Sequence, residues 1–283
     1  MPKFVFCLLV LCLTTVSTNA QESASPTIAA PKTDQGLDAT LWMQTSVEHD
    51  FACVQAYRLA TLQATQALYD PCWTAATEQQ AGYAQLPPAV ILDLDETVLN
   101  NAPFMGRLVK QDSSWNQNLW EEWVRSKKST AVPGVKPFLQ KLVSQGIAVY
   151  FITNRHFKLE TPTVENLSQV LDMPITKSQV LFQKEKPDWN WNKTSRRAEV
   201  ARNHRIILLL GDDYNDFVYQ GKLTPQERVT QGKRYQQYWG ERWIILPNPV
   251  YGDWEKALYH YDNALPTAEK LQLKLDALKT LNQ

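Results

Sequence analysis

Residues Ala89-Val90-Ile91-Leu92-Asp93-Leu94-Asp95-Glu96-Thr97 join an apolar run of strand character to two carboxylates one residue apart. A buried strand has no packing reason to stop on Asp-x-Asp, because neighbouring buried charges are costly unless something compensates them. Residues i and i+2 of a strand point the same way, so this spacing gathers negative charge at one point. A divalent cation and a phosphoryl group are the natural occupants of such a point.

Further strand-like runs occur at Ile147–Ile152, Gln179–Phe182, Ile206–Leu210 and Trp243–Leu246. Helical candidates lie between them at Val135–Gln145, Leu159–Leu171, Lys193–Asn203 and Thr224–Gly240. Strands alternating with helices predict an α/β fold with a mainly parallel sheet and helices on both faces. Ligands of such sheets sit at the carboxyl ends of the strands. Residues 101–133, with Trp115, Trp120 and Trp123, interrupt the alternation and read as a cap or pocket wall rather than a loose loop. The expected organisation is an α/β core over about 86–100 and 134–250. A mainly helical cap is expected from about 38–85 and 101–133, with C-terminal helices over 251–283. The segment from Pro266, with Leu271, Leu275 and Leu278 on one face, reads as a packing helix.

The beginning of the chain reads as an export signal. Lys3 gives a positive start, Phe4 to Val16 an apolar run, and Thr18-Asn19-Ala20 a cleavage site, so residues 1–20 are expected to be removed. Leu11 ahead of Cys12 is not the small residue that lipoprotein signals need, which favours cleavage over lipid anchoring. Residues 21–37, with Pro26 and Pro31, read as a polar tail. No later run is long enough to span a bilayer. Of the four cysteines, Cys53 and Cys72 remain after cleavage. The segment from Leu41 to Tyr69 holds no Gly or Pro, and Phe51, Val54, Leu59, Leu62 and Tyr69 fall at helical spacing. One helix there separates the two sulfurs by roughly 25–30 Å, too far for a disulfide.

The 29 basic and 29 acidic side chains balance, which gives no long-range field for a nucleic-acid polymer or an anionic membrane. The expected partner is a small molecule, and oligomeric state stays open.

Two more apolar runs end on polar groups: Phe151-Ile152-Thr153-Asn154-Arg155 and Leu208-Leu209-Leu210-Gly211-Asp212-Asp213-Tyr214-Asn215-Asp216-Phe217. Between them, Lys193 precedes Thr194-Ser195-Arg196-Arg197 at a helix start. Lys184 and Lys186 also precede the last motif, but only Lys193 opens a helix whose N-terminus can help bind an anion. Together these segments resemble, in order and spacing, the four motifs of the haloacid-dehalogenase-like phosphatases.

The resemblance extends to the bacterial exported class C (lipoprotein-type) acid phosphatases, a group that includes enzymes acting on nucleoside 5′-monophosphates. It is carried by Thr45-Ser46-Val47-Glu48, the Leu86–Leu99 string, Pro133-Gly134, Thr153-Asn154-Arg155, Lys193–Arg197 and the Leu246–Glu255 string. Asn100 and Asp213 depart from the group, which carries Asp and often Asn at those places.

The resemblance implies a Rossmann-like core with a helical cap and assigns roles to residues. Asp93 is the nucleophile that forms an aspartyl-phosphate, and Asp95 is the proton donor and later the general base. Asp93, the Asp95 main chain and Asp212 hold Mg²⁺. Thr153, Asn154 with the neighbouring amides, and Lys193 bind the phosphoryl oxygens. Asp216 and Asp213 support the metal waters or Lys193 from behind.

Trp120, Trp123, Tyr251 and Trp254 lie outside the regular alternation and are candidates for a slot that stacks a planar base. Asn192-Lys193-Thr194 is a glycosylation pattern that would place a glycan beside Lys193, which favours a bacterial periplasm or envelope. The expected activity is hydrolysis of phosphomonoesters. A phosphotransferase and a non-catalytic binding or storage protein are the alternatives on the same scaffold.

Overall fold

The computed structural model describes Met1 and residues 36–280. The expected leader and most of the polar tail therefore lie outside the described residues. Helices α1 (Leu37–Thr45) and α2 (Val47–Ala67) lead into β1 (Pro88–Leu92) and a short β2 (Leu99–Asn100). Next come α3 (Ala102–Lys110), α4 (Gln117–Ser126), β3 (Thr130–Ala131) and α5 (Val135–Ser144). The chain continues through β4 (Ala148–His156), α6 (Glu160–Leu171), β5 (Val180–Gln183), α7 (Thr194–Ala201) and β6 (Arg205–Gly211). It ends with α8 (Pro225–Arg234), β7 (Trp243–Ile245), a single turn α9 (Asp253–Lys256) and α10 (Thr267–Asp276).

Five strands form one parallel sheet in the order β5-β4-β1-β6-β7, which puts the Asp-x-Asp strand at its centre. Alternation along β1 divides its side chains between two cores. Val90 and Leu92 join α2, α5 and α6 through Tyr57, Leu139 and Leu167. Ala89 and Ile91 join Val200 and Ala201 of α7 and the aromatic group around Trp243 on the other face. The two-faced α/β sheet expected from the alternation is therefore present.

The face that α2 buries differs from the apolar stripe of its sequence. Phe51, Leu59, Leu62 and Tyr69 are exposed, whereas Cys53, Tyr57, Ala60, Ala64 and Ala67 are buried. Small side chains allow the helix axis to approach the sheet closely, and bulky ones on that face would hold it away. The turn into α5 is approached just as closely, at Gly134. A Cβ there would lie 3.1 Å from the Val54 Cα and 3.2 Å from Tyr57, and φ is +91°. Consequently α2 belongs to the helical layer of the core, not to the cap expected over 38–85. Cys53 and Cys72 are both free, as the helical spacing requires.

Residues 101–133 form α3, α4 and β3, which pairs antiparallel with β2, and they enclose a separate small cluster of Phe104, Leu108, Trp123 and Val124. Two expectations near the C-terminus need correction. Helix α8 stops at Arg234 rather than reaching Gly240. Tyr235, Tyr238 and Trp239 leave the helix to surround Trp243, with ring centroids 4.9, 4.8 and 5.2 Å away. Helix α10 buries none of its residues, and Leu275 and Leu278 are exposed. It rests on the Ala257–Tyr259 turn by contacts such as Lys270 over the Tyr259 ring at 5.3 Å. Among the described residues, no helix is long and apolar enough to cross a membrane.

Candidate active site

Strands β1 and β6 end just before Asp93 and Asp212, whereas β4 runs on through Thr153-Asn154-Arg155 to His156 instead of stopping ahead of Thr153. The Asp93 amide continues the ladder by donating to Leu210 O at 2.9 Å, which fixes the first carboxylate beside the end of β6. Beyond it the chain folds into a tight turn. Val98 N and Leu99 N both donate to Leu94 O at 2.8 Å, and Glu96 takes φ +61° at the turn. A non-glycine residue rarely adopts that conformation, and here it directs the Glu96 carboxyl inward to 2% exposure.

The carboxylates of Asp93, Asp212 and Asp216 each place an oxygen within 4.8 Å of the others. Three clustered oxygen donors suit a hard divalent cation, so this group could hold one. Asp216, expected behind the metal site, is thus part of the cluster. Gly211 makes this arrangement possible, since a Cβ at that residue would lie 2.4 Å from the Asp216 side chain.

Lys193 sits just before α7, 4% exposed, and donates to Asp93 Oδ1 and, at 2.7 Å, to Asp216 Oδ1. Of the three lysines ahead of the last motif, Lys193 is thus the one whose ammonium reaches the carboxylate cluster, while Lys186 pairs with Glu199. Asp212 accepts from Thr97 Oγ1 at 3.2 Å and from Asn248 Nδ2 at 2.9 Å. Asp213 points away from the cluster. Its main-chain amide donates to Asp216 Oδ2 at 2.9 Å, while its side chain accepts from Asn215 N at 3.0 Å and Asp253 N at 2.7 Å.

Burial and crowding shift these groups. Asp93 is pushed up to about 7, first by burial and then by the Asp216 and Asp95 charges, against the pull of Lys193. Asp212 is driven well above the carboxylate range by burial and by Asp216 and Asp93. Burial works against the charge of Lys193, but its paired carboxylates hold its value above the ordinary lysine range.

Thr153 is fully buried in β4, and its Oγ1 accepts from Arg155 N at 3.0 Å. Asn154 is exposed beside it, donating to Trp191 O at 3.1 Å. Arg196 donates to Thr153 O and, at 2.7 Å, to Asn154 Oδ1, which ties the end of β4 to the start of α7. Arg197 donates to Asp216 O at 3.0 Å and pairs with Glu78 at 2.6 Å.

Asp95 lies on the cap side, held by Arg155 and by Asn101. Asn101 is 1% exposed and connects several elements. Its Nδ2 donates to Asp95 Oδ1 at 2.9 Å and Glu96 Oε2 at 3.2 Å, and its Oδ1 accepts from Trp123 Nε1 at 2.8 Å and Ser129 Oγ at 2.7 Å. Glu96 also accepts from the Tyr251 hydroxyl. Burial, reinforced by the Asp95 charge, pushes Glu96 up to about 7.

The four candidate aromatics divide. Trp120 is half-buried and packs on Arg155, with the guanidinium carbon 5.4 Å from the ring centroid. Tyr251 is half-buried, anchored through Glu96. Trp254 is 42% exposed, and its indole N–H donates to Tyr251 O at 3.2 Å. Trp123 is 8% exposed and packs inside the cap cluster, so its ring is not offered to a ligand. Asn101, Glu96, Arg155, Arg196 and Arg197 were not assigned functions from the sequence. Their signal is the presence of polar residues within a few positions of each motif inside buried segments.

Comparison with known proteins agrees with this geometry. The family described as HAD superfamily, subfamily IIIB (acid phosphatase) matches residues 12–254. The solved structure of the class C acid phosphatase from Bacillus anthracis superposes with a TM-score of 0.79 and 34% identity, covering 88% of this chain and 99% of that one. The class B acid phosphatase of Proteus mirabilis is 31% identical over 164 residues, 53% of this chain and 66% of that protein. The stem 31 kDa glycoprotein of Glycine max is 26% identical over 166 residues, 57% of this chain. The chain thus spans about 58% of that soybean protein's length. The parallel five-stranded sheet with helices on both faces is the fold these relationships imply. The chain belongs to the acid phosphatases of HAD subfamily IIIB.

Proposed function

We propose that the protein is an exported, Mg²⁺-dependent acid phosphatase that hydrolyses phosphomonoesters, with nucleoside 5′-monophosphates and aryl phosphates as preferred substrates. The observation that carries this reading is Lys193, which bridges Asp93 and Asp216 at the point where three carboxylates meet. A lone strand-end carboxylate is explained by a solvated turn. A buried carboxylate facing a lysine and a cation-sized cluster is explained by nucleophilic attack on an anion.

Asp93 attacks phosphorus in line with the leaving oxygen and forms an aspartyl-phosphate. Asp95 gives a proton to the departing alcohol and then takes one from the water that hydrolyses the intermediate. Lys193, the Thr153 hydroxyl and the amides that follow it hold the phosphoryl oxygens as their charge redistributes. A divalent cation on Asp93, Asp212 and the Asp95 main chain, with Asp216 beside them, would offset repulsion between nucleophile and substrate. Trp120, Tyr251 and Trp254 supply aromatic surface for a base, and stacking tolerates different bases. The apolar leader-like run in residues 1–20 supports export, and the sequon at Asn192 supports a bacterial periplasm or envelope.

A screen for phosphate release over nucleotides, sugar phosphates and aryl phosphates, with and without Mg²⁺, tests this reading. Asp93→Asn should abolish release, and undiminished activity in that variant would overturn the mechanism. With an added alcohol, the ratio of free phosphate to phosphorylated alcohol separates hydrolysis from phosphotransfer. A storage role is disfavoured by the intact nucleophile and its intact cation partner.

A further inference from the structure

We propose that Arg155 is a positioning residue for the proton donor: together with Asn101 it pins one oxygen of Asp95 so that the other faces the leaving group. This rests on the phosphomonoesterase reading and extends it to a residue that reading leaves unused.

The Asp95 side chain is 19% exposed, whereas the Arg155 side chain is fully buried. Asp95 Oδ1 accepts from Arg155 Nη2 at 2.6 Å, from Arg155 Nε at 3.1 Å and from Asn101 Nδ2 at 2.9 Å. Oδ2 accepts a single longer contact, from Arg155 Nε at 3.2 Å. Arg155 Nη2 and Asn101 Nδ2 fill the two lone pairs of Oδ1, while the Nε–H is shared between both oxygens, and together they stop rotation of the carboxyl plane. Oδ2 is left with the capacity to carry a proton and to present it.

Arg155 is itself fixed. Its Nη1 donates to Thr163 Oγ1 at 3.3 Å, and Trp120 packs 5.4 Å from its guanidinium carbon. Thr163 is fully buried on α6. A buried guanidinium needs an anionic partner, and among the described residues its ion pair goes to Asp95. The main-chain amide of the same residue donates to Thr153 Oγ1 at 3.0 Å. One residue therefore orders both the proton donor and the end of the strand that binds phosphate.

In the bond-breaking step the P–O bond to the alcohol opens and its electron pair stays on the alcohol oxygen. The Oδ2–H bond of Asp95 breaks as the new O–H bond forms. The negative charge left on Asp95 develops against the Arg155 guanidinium, already in place and needing no reorganisation. This help matters most where the leaving alkoxide is strongly basic. A nitrophenolate leaves without a proton, so it should be nearly indifferent to Arg155.

The test is a double-mutant cycle on the Mg²⁺-loaded enzyme with two substrates, 4-nitrophenyl phosphate and glycerol 2-phosphate. For Arg155→Met the expected result is a loss in kcat/KM, which reports the step in which the alcohol departs, of about 100-fold on the alkyl ester and under about 5-fold on the aryl ester, within the usual size of general-acid effects. Arg155→Lys should recover part of the alkyl activity. In an Asp95→Asn background, adding Arg155→Met should cost less than about 2-fold on the aryl ester, because the group it positions is gone.

Equal losses on the two esters, or a full additional loss in the Asp95→Asn background, would overturn the proposal. Should Arg155→Met not fold, Thr163→Val removes the Nη1 partner and keeps the guanidinium. It should then cost several-fold on the alkyl ester alone, and a loss that ignores the leaving group would refute positioning. A wild-type protein that releases no phosphate from either ester would instead sink the phosphatase reading itself.

Discussion

Arg196 and Arg197 are neighbours in the chain and hold opposite walls of the site. Arg196 reaches the end of β4 through Thr153 O and Asn154 Oδ1, and Asn190 O at 2.7 Å. Arg197 reaches the loop after β6 through Asp216 O, and Glu78 in the segment ahead of β1. Lys193 lies between them, one turn earlier. The three cations of this stretch thus set the separation of β4 from the carboxylate cluster.

The Arg197–Glu78 pair is buried on both sides, with side chains 1% and 9% exposed. Removing one partner of such a pair leaves an uncompensated charge and costs about 3–5 kcal/mol. Glu78→Leu should therefore lower stability in urea unfolding by an amount in that range. The double change Glu78→Leu with Arg197→Met should recover most of it. Activity should stay low in the double variant, because Asp216 O has lost its donor.

In metal-free protein, stability should fall as pH rises. The folded value of Glu96 is about 7 against an ordinary 4.5, so the unfolded chain releases this proton first. The stabilising contribution is complete below about pH 4.5 and is lost as pH climbs to about 7, a change of about 3 kcal/mol. Asp93 and Asp212 are raised as well and act in the same direction. Thermal melts in a chelator should show Tm decreasing over this range, with a shallower decrease in Glu96→Gln. Mg²⁺ should raise Tm most at the neutral end. A Tm that rises with pH in the chelator would contradict this assignment.

The aromatic residues should separate in activity assays. Trp254→Ala should weaken turnover of a nucleoside monophosphate far more than that of a small alkyl phosphate. Trp123→Phe removes the indole donor to Asn101 and presents no altered surface to the ligand, so its losses should be similar on both substrates. Equal losses on the two substrates in Trp254→Ala would argue against a stacking slot.

Trp243 is fully buried among Tyr235, Tyr238 and Trp239, and its Nε1 donates to Ala75 O at 2.8 Å. Trp243→Ala should cost about 3–5 kcal/mol, measured by denaturant unfolding. Because β7 lies at the sheet edge, residual folded protein should keep its preference among substrates.

The legible parts of this protein share one cause. Asp93, Thr153 and Asp212 each follow an apolar run, and a polar residue at the end of such a run is conspicuous in one dimension. Lys193 stood out because it precedes a helix. Asn101 and Arg155 carry no comparable mark, since their partners sit 22, 28 and 60 residues away and become neighbours only when the cap closes on the sheet. The packing face of α2 was hidden for a different reason. Hydropathy registers bulk, but close approach to a sheet is made by Ala60, Ala64 and Ala67, whose contribution lies in the volume they leave free. The same bias made Leu275 of α10 and Leu278 just beyond it look like a buried face.

At Gly211 the distance from a virtual Cβ to Asp216 is shorter than any real contact. Even alanine there would displace Asp216, the partner Lys193 shares with Asp93. The dimensions of the cation pocket are thus set by a missing methyl group. A Gly211→Ala protein should fold around its intact hydrophobic cores and offer a divalent cation a carboxylate pocket of the wrong size.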